Sequence, residues 1–232
     1  MFDPPQLPVR VTGPGEPELE LMGNPDFGWA ECRLEAGQTI LVEGGAMSTM
    51  SEGLTVRTRL LGGLLRALLR KLLGGESAFV GEYVGPGRLT ISPSVPGRVV
   101  HRRLRGERIY LQKGAFLACT PGVDLNVEFG GLRAFFSGEG MFFLVCSGEG
   151  HLLFNAHGDI VEREVTAPLI VDTGHVVGWE STLQWRVRGM GGLKSTLLSG
   201  EGLVLEFSGQ GKVWLQTRTL SGLAGWLTSF AG

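Results

Sequence analysis

Short apolar runs separated by glycine dominate this chain. That punctuation predicts many short strands joined by tight turns. Two patterns recur three times, in the same order. The first is a strand-turn-strand segment. It reads LEAGQTILVEGGAMSTMSEGLTV from Leu34, LQKGAFLACTPGVDLNV from Leu111 and VDTGHVVGWESTLQWRV from Val171. Each copy sets Gly37, Gly114 or Gly174 ahead of a strand-like run. A second short strand follows, at Leu54–Val56, Leu125–Val127 and Leu183–Val187.

The second pattern is GESAFVGEYVGPGRLTI from Gly75, GEGMFFLVCSGEGHLLF from Gly138 and GEGLVLEFSGQGKVWLQ from Gly200. The three align without gaps over 17 residues, and their starts lie 63 and 62 residues apart. Each gives Gly-Glu, a strand, a Gly-x-Gly turn and another strand, which predicts a hairpin. Between the two patterns come Gly62-Gly63-Leu64, Gly130-Gly131-Leu132 and Gly191-Gly192-Leu193. In the first copy this linker swells to RLLGGLLRALLRKLLGG, whose leucines fall at helical spacing and predict a helix over about 60–73. The expectation is an all-β domain of three tandem units, approximately 1–92, 93–155 and 156–232. The units close around a pseudo-threefold axis because none buries its apolar face alone. Val9–Thr12, Leu19–Met22 and Trp29–Leu34 add strands at the N-terminus. The apolar tail SGLAGWLTSFAG suits a short docking helix.

The segment APLIVDTGHVVGWE from Ala167 to Glu180, the Gly-Gly-Leu linker and the repeated Gly-Glu hairpins resemble the altered-inheritance-of-mitochondria type family. The resemblance covers nearly the whole chain. It implies three TRAP-like β-sandwich domains (like tryptophan RNA-binding attenuation protein) in pseudo-threefold arrangement. Bacterial members of that family are uncharacterised, and its mitochondrial members are linked to inner-membrane organisation. The resemblance supplies no catalytic residues.

Composition narrows the function classes. Hydrophobic residues make up 43% and charged residues 19%, which suits a folded chain rather than a disordered one. The net charge of −2 supplies no global field toward nucleic acid, so nucleic acid is not an expected partner. Cys32, Cys119 and Cys146 each sit in an apolar run and read as small buried hydrophobes in a reducing compartment. MFDPPQLPVR does not read as a secretory signal, and the sequence has no apolar run long enough for a transmembrane helix. Cytoplasmic residence is the expectation.

The chemistry-bearing motifs are sparse. His101, His151, His157 and His175 show neither His-x-His nor helical spacing, so no metal ligands are assigned. Each Gly-x-Gly turn is followed by a strand, with no helix N-terminus to hold a phosphate. RGMGGLKST from Arg188 lacks the glycine spacing of a phosphate loop, and no Gly-x-Ser-x-Gly elbow occurs. No catalytic residue and no cofactor is therefore expected. Glu76, Glu139 and Glu201 recur at one hairpin position and read as turn residues or as an acidic ring.

Two surfaces remain. Arg98, Arg102, Arg103, Arg105 and Arg108 cluster in RVVHRRLRGER, which reads as a charge-protected edge strand or as a patch for an anionic partner. Leu61, Leu64, Leu65, Leu68 and Leu72 form one apolar stripe, with Arg66 and Arg70 on a cationic side. Such a helix packs on its own sheet, covers a subunit contact or lies on a membrane surface. The functional expectation is a scaffold or interaction protein that self-associates as a homo-oligomer and contacts a membrane peripherally. The alternatives are a small-ligand or RNA-binding module, the ligand being unspecified, and a β-sandwich enzyme whose site is not legible from spacing.

Overall fold

The computed structural model describes residues 8–60, 79–112, 114–129, 142–189 and 203–230. The Leu-rich segment, the Gly-Gly-Leu linkers and Glu76, Glu139 and Glu201 lie outside these described residues. The strands are β1 (Val9–Arg10), β2 (Glu18–Met22), β3 (Trp29–Leu34), β4 (Thr39–Glu43), β5 (Met47–Met50), β6 (Thr55–Leu60), β7 (Phe79–Val84) and β8 (Gly87–Ile91). They continue as β9 (Val99–Arg105), β10 (Ile109–Gln112), β11 (Phe116–Cys119), β12 (Val123–Phe129) and β13 (Phe142–Asn155). The last are β14 (Ile160–Val165), β15 (Leu169–Asp172), β16 (Val176–Glu180), β17 (Gln184–Gly189), β18 (Leu203–Ser208) and β19 (Gly211–Gln216). A single 3-10 turn covers Thr173–His175, and α1 (Leu220–Thr228) is the one α-helix among the described residues. The protein is all-β, as its glycine punctuation predicts. Among the described residues no helix is long and apolar enough to cross a membrane.

One sheet runs β1-β2-β3-β8-β5 and a small one β15-β18-β17. The largest follows β14-β19-β16-β10-β13-β11-β4-β7-β6, with β9 and β12 also on β13. All the named pairings are antiparallel. β13 is the pivot of this arrangement. Its first half pairs with β12 and β10, and its second half with β11 and β9. Between the halves lie Gly148 (φ 100°) and Gly150 (φ 157°). A Cβ at Gly148 would sit 2.4 Å from the Gly122 carbonyl oxygen, so only glycine lets the strands approach there.

The central strands are continuous apolar runs because both of their faces are covered. Ile40, Leu41 and Val42 of β4 are buried, as are Ile109, Tyr110 and Leu111 of β10 and all of β11. Cys32, Cys119 and Cys146 are buried thiols outside any disulfide, and burial pushes the Cys32 thiol up to about 12. One apolar cluster is anchored by Leu19, Ile40, Leu89 and Ile91, a second by Leu111, Phe154 and Trp214. The third gathers Tyr110, Phe143, Trp179 and Phe207.

α1 departs from the core pattern. Thr219 caps it, its hydroxyl oxygen accepting from the Gly222 N–H at 3.0 Å. None of its residues is buried. Trp226 is 61% exposed, and Leu220, Leu227 and Phe230 are exposed beside it.

Candidate functional site

A cavity of about 320 Å³ opens where the ends of β4, β10, β13, β16 and β19 meet the start of α1. Glu43, Gln112 and Asn155 are the terminal residues of their strands. The β4 and β10 strands end there because each enters a tight turn. The Ala46 N–H donates to the Glu43 carbonyl and the Ala115 N–H to the Gln112 carbonyl, each at 3.1 Å. Gly45 (φ 89°) and Gly114 (φ 80°) supply the left-handed residue of those turns.

The rear wall is knitted by polar bonds. The His157 N–H donates to Gln216 Oε1 at 2.9 Å, and Gln216 Nε2 donates to the Gly174 carbonyl at 2.7 Å. The Asn155 N–H donates to the Ala115 carbonyl at 2.8 Å. Three side-chain atoms of this cavity find no partner among the described residues: Gln112 Oε1, Asn155 Oδ1 and His157 Nδ1. Asn155 is 5% exposed and His157 8%. A buried polar atom left unpaired costs about 1–3 kcal/mol. Three residues that carry such atoms line this one cavity. Burial also pushes the Glu43 carboxyl up to about 7.

A second polar cluster behaves differently. β9 and β13 pair in a register that sets His151 opposite Arg103 and Leu153 opposite His101. His101 Nε2 and His151 Nδ1 lie 2.8 Å apart, with the rings stacked. Glu16 bonds Arg103, and its other oxygen lies 3.0 Å from His151 Nε2. Arg103, the Gly13 N–H and His151 together hold the Glu16 carboxyl down to about 2. Burial, His151 and Arg103 press His101 down to about 4, and burial lowers His151 as well. Each charge here has an opposite one. The cluster fastens the segment around Glu16 to the large sheet. Sequence spacing misses it because its members come from residues 16, 101–103 and 151, joined only by strand pairing.

Val99–Arg105 of the arginine stretch forms β9, which pairs with β13 alone among the described strands, and Arg98 and Arg108 flank it. Arg98 faces Asp159 at 3.1 Å, Arg102 faces Glu180 at 3.4 Å, and Arg108 faces Glu128 at 2.7 Å. Arg102 also lies over the Trp214 ring. With Arg103 on Glu16, these arginines spend their charge inside the molecule. Arg105 is exposed. Leu61, Leu64, Leu65, Leu68, Leu72, Arg66 and Arg70 all lie outside the described residues. No group of three or more His, Cys, Asp or Glu among the described residues is placed to hold a metal ion.

Fold and cavity together define an all-β protein with a half-open recess of mixed lining at a meeting point of five strand ends. The sequence profile of the family described as Mitochondrial biogenesis AIM24 matches residues 19–218, and the chain belongs to that family. It is 30% identical over 217 residues to an uncharacterised protein of Streptococcus pyogenes serotype M6, covering 88% of this chain and 87% of that one. The crystal structure of protein SPYM3_0169 from Streptococcus pyogenes, a structural genomics target, is similar with a TM-score of 0.78 at 30% identity. That match covers 91% of this chain and 98% of the other.

Proposed function

We propose that the chain is a binding module of three TRAP-like β-units that holds one small polar molecule between Glu43, Gln112 and Asn155. The observation that carries this reading is that Gln112, Asn155 and His157, each with an unpartnered buried polar atom, line one cavity of about 320 Å³. A cavity of that size lies at the lower end of the range for small-molecule sites.

The three-unit arrangement, with units 1–92, 93–155 and 156–232, is supported by recurrent pairing. β6 lies on β7, β12 on the first half of β13, and β17 on β18. β3 lies on β8, β9 on the second half of β13, and β14 on β19. The Leu54, Val123 and Leu183 N–H groups donate to the Ser51, Thr120 and Glu180 carbonyls in turn. In this phase Gly45, not Gly37, corresponds to Gly114 and Gly174. Gly37 instead closes the β3–β4 turn, where Gln38 N–H donates to the Glu35 carbonyl. Glu43 then matches Gln112 and Asp172, while Ser92 matches Asn155 and Gln216. The cavity collects matching positions from different units, as a site near a pseudo-threefold axis does.

The test is a fragment screen by thermal shift on the full chain. Compounds that raise Tm in the parent are expected to weaken at least tenfold in Asn155→Leu. Hits that all keep their affinity in that variant would place binding elsewhere.

Self-association is a second reading, favoured by α1. Residues 219–230 carry no charge, and their large apolar side chains face outward. A second copy offers the same surface about a twofold axis. Light scattering is expected to show a dimer that dissociates in Trp226→Glu. A parent chain that scatters as a monomer at micromolar concentration removes this reading.

A further inference from the structure

A groove of about 1020 Å³ runs between the turn joining β2 to β3 and the helix α1. The turn supplies Asp26 and Phe27 as one bank, and α1 with its lead-in supplies Arg218, Leu223 and Trp226 as the other. Backbone contacts across the floor hold the banks in place. The Gly28 N–H donates to the Gly97 carbonyl at 2.7 Å, Gly97 bridges to Gly158, and the Arg218 N–H donates to the His157 carbonyl at 3.2 Å.

The apolar members of both banks are turned to solvent. Phe27 is 73% exposed, and Trp226 faces outward across from it. Phe230 meets the Trp226 ring edge-on at 5.0 Å, which steadies the indole in that position. Asp26 and Arg218 are exposed too, and neither enters an ion pair among the described residues. Arg98, Arg102, Arg103 and Arg108, by contrast, are answered inside the molecule.

We infer that this groove is a twofold contact between two copies of the chain, with Asp26 of each against the partner's Arg218 and Phe27 of each against the partner's Trp226. The inference rests on the self-association reading and gives it a register. A twofold axis along the groove sets each bank against the partner's opposite bank, so an isologous contact needs a surface that complements itself. This one does. Each bank carries one aromatic ring, and the carboxylate and the guanidinium stand on opposite banks. Every pair therefore forms twice.

Other occupants leave a charge unanswered. An anionic membrane attracts Arg218 but repels Asp26, and α1 itself brings no charge to offset that. A partner of uniformly acidic or basic surface meets one like charge in the groove.

The test exchanges the two charges. Asp26→Arg sets two like-charged pairs in its own dimer, and Arg218→Asp does so with the opposite sign. Each variant alone is expected to dimerise about tenfold or more weakly than the parent. Mixed in equal amounts, the two variants bring opposite charges together at both places, and the mixture is expected to recover dimer to within about threefold of the parent. Light scattering at low ionic strength, where exposed charges are least screened, reads all four samples. Both positions are exposed, so the fold is expected to hold, with circular dichroism as the check. Asp26→Lys and Arg218→Glu repeat the exchange should either variant fold poorly. A mixture as monomeric as its components overturns the pairing, and Trp226→Glu then judges self-association by itself. Single variants that dimerise as tightly as the parent also overturn the pairing and leave the α1 contact standing. A monomeric parent overturns both.

Discussion

Trp179→Ala is expected to lower the unfolding free energy by about 3–5 kcal/mol, the cost of emptying a large aromatic site in a packed core. Trp179 is fully buried and is the largest of the fully buried side chains. The Tyr110 ring stacks on it at 5.1 Å, and Phe143, Trp185 and Phe207 meet it edge-on at 4.7, 5.3 and 5.3 Å. Four aromatic neighbours leave a hole that backbone movement cannot close. For a domain of this size such a loss lowers Tm by roughly 10–15 °C. Its indole N–H has no partner among the described residues. Trp179→Phe therefore removes an unpaired donor along with the volume, and is expected to cost less than half as much as the alanine variant. Trp226→Ala, on the exposed helix, is expected to stay within about 0.5 kcal/mol. Denaturant melts of the three variants check the order. Equal losses for Trp179→Ala and Trp226→Ala would contradict this account of the core.

Glu43→Gln is expected to stabilise the protein, and only at high pH. The Glu43 carboxyl has an ordinary value of 4.5 and stands at about 7 in the folded chain, because burial penalises its charge. Between those values the folded state holds a proton that the unfolded state has released. Stability from this group is thus complete below about pH 4.5 and is lost as pH rises through 7. The full difference amounts to about 3 kcal/mol. At pH 8 glutamine, which never ionises, recovers most of it. At pH 5 the two chains are expected to melt nearly together. A Glu43→Gln chain whose advantage does not grow from pH 5 to pH 8 would show that the carboxylate is not strained by its surroundings.

Much of the fold is legible in the sequence. Glycine spacing gives the strands, and Trp29–Leu34 is a strand with the bounds its pattern predicts. It does not give hairpins at the Gly-x-Gly positions: β7 and β8 lie in different sheets, as do β18 and β19, and Gly148 and Gly150 fall inside the single strand β13, because each half pairs with other strands instead. The apolar tail is a helix, as its composition suggests. What local pattern does not resolve is phase. EAGQ at Glu35–Gln38 and EGGA at Glu43–Ala46 both close turns through an N–H to carbonyl bond of 3.1 Å. Only the long-range pairing of β4 with β7 and β11 separates them. The cavity is illegible for the same reason. Gln112 and Asn155 look like ordinary polar residues at strand ends, and no motif joins positions 43, 112, 155 and 157. Their meaning comes from strand ends converging in space.

The path of β13 has a consequence for how damage spreads. Among the described strands, those before residue 93 pair with none beyond residue 155. By strand pairing the two ends of the chain are joined through the middle alone: β4 leans on β11, β16 leans on β10, and both β10 and β11 lean on β13. A lesion in β1 or β17 frays a margin and leaves the remainder standing. A lesion along Phe142–Asn155 removes the span on which both flanks rest, and the molecule parts into two halves with no remaining ladder between them.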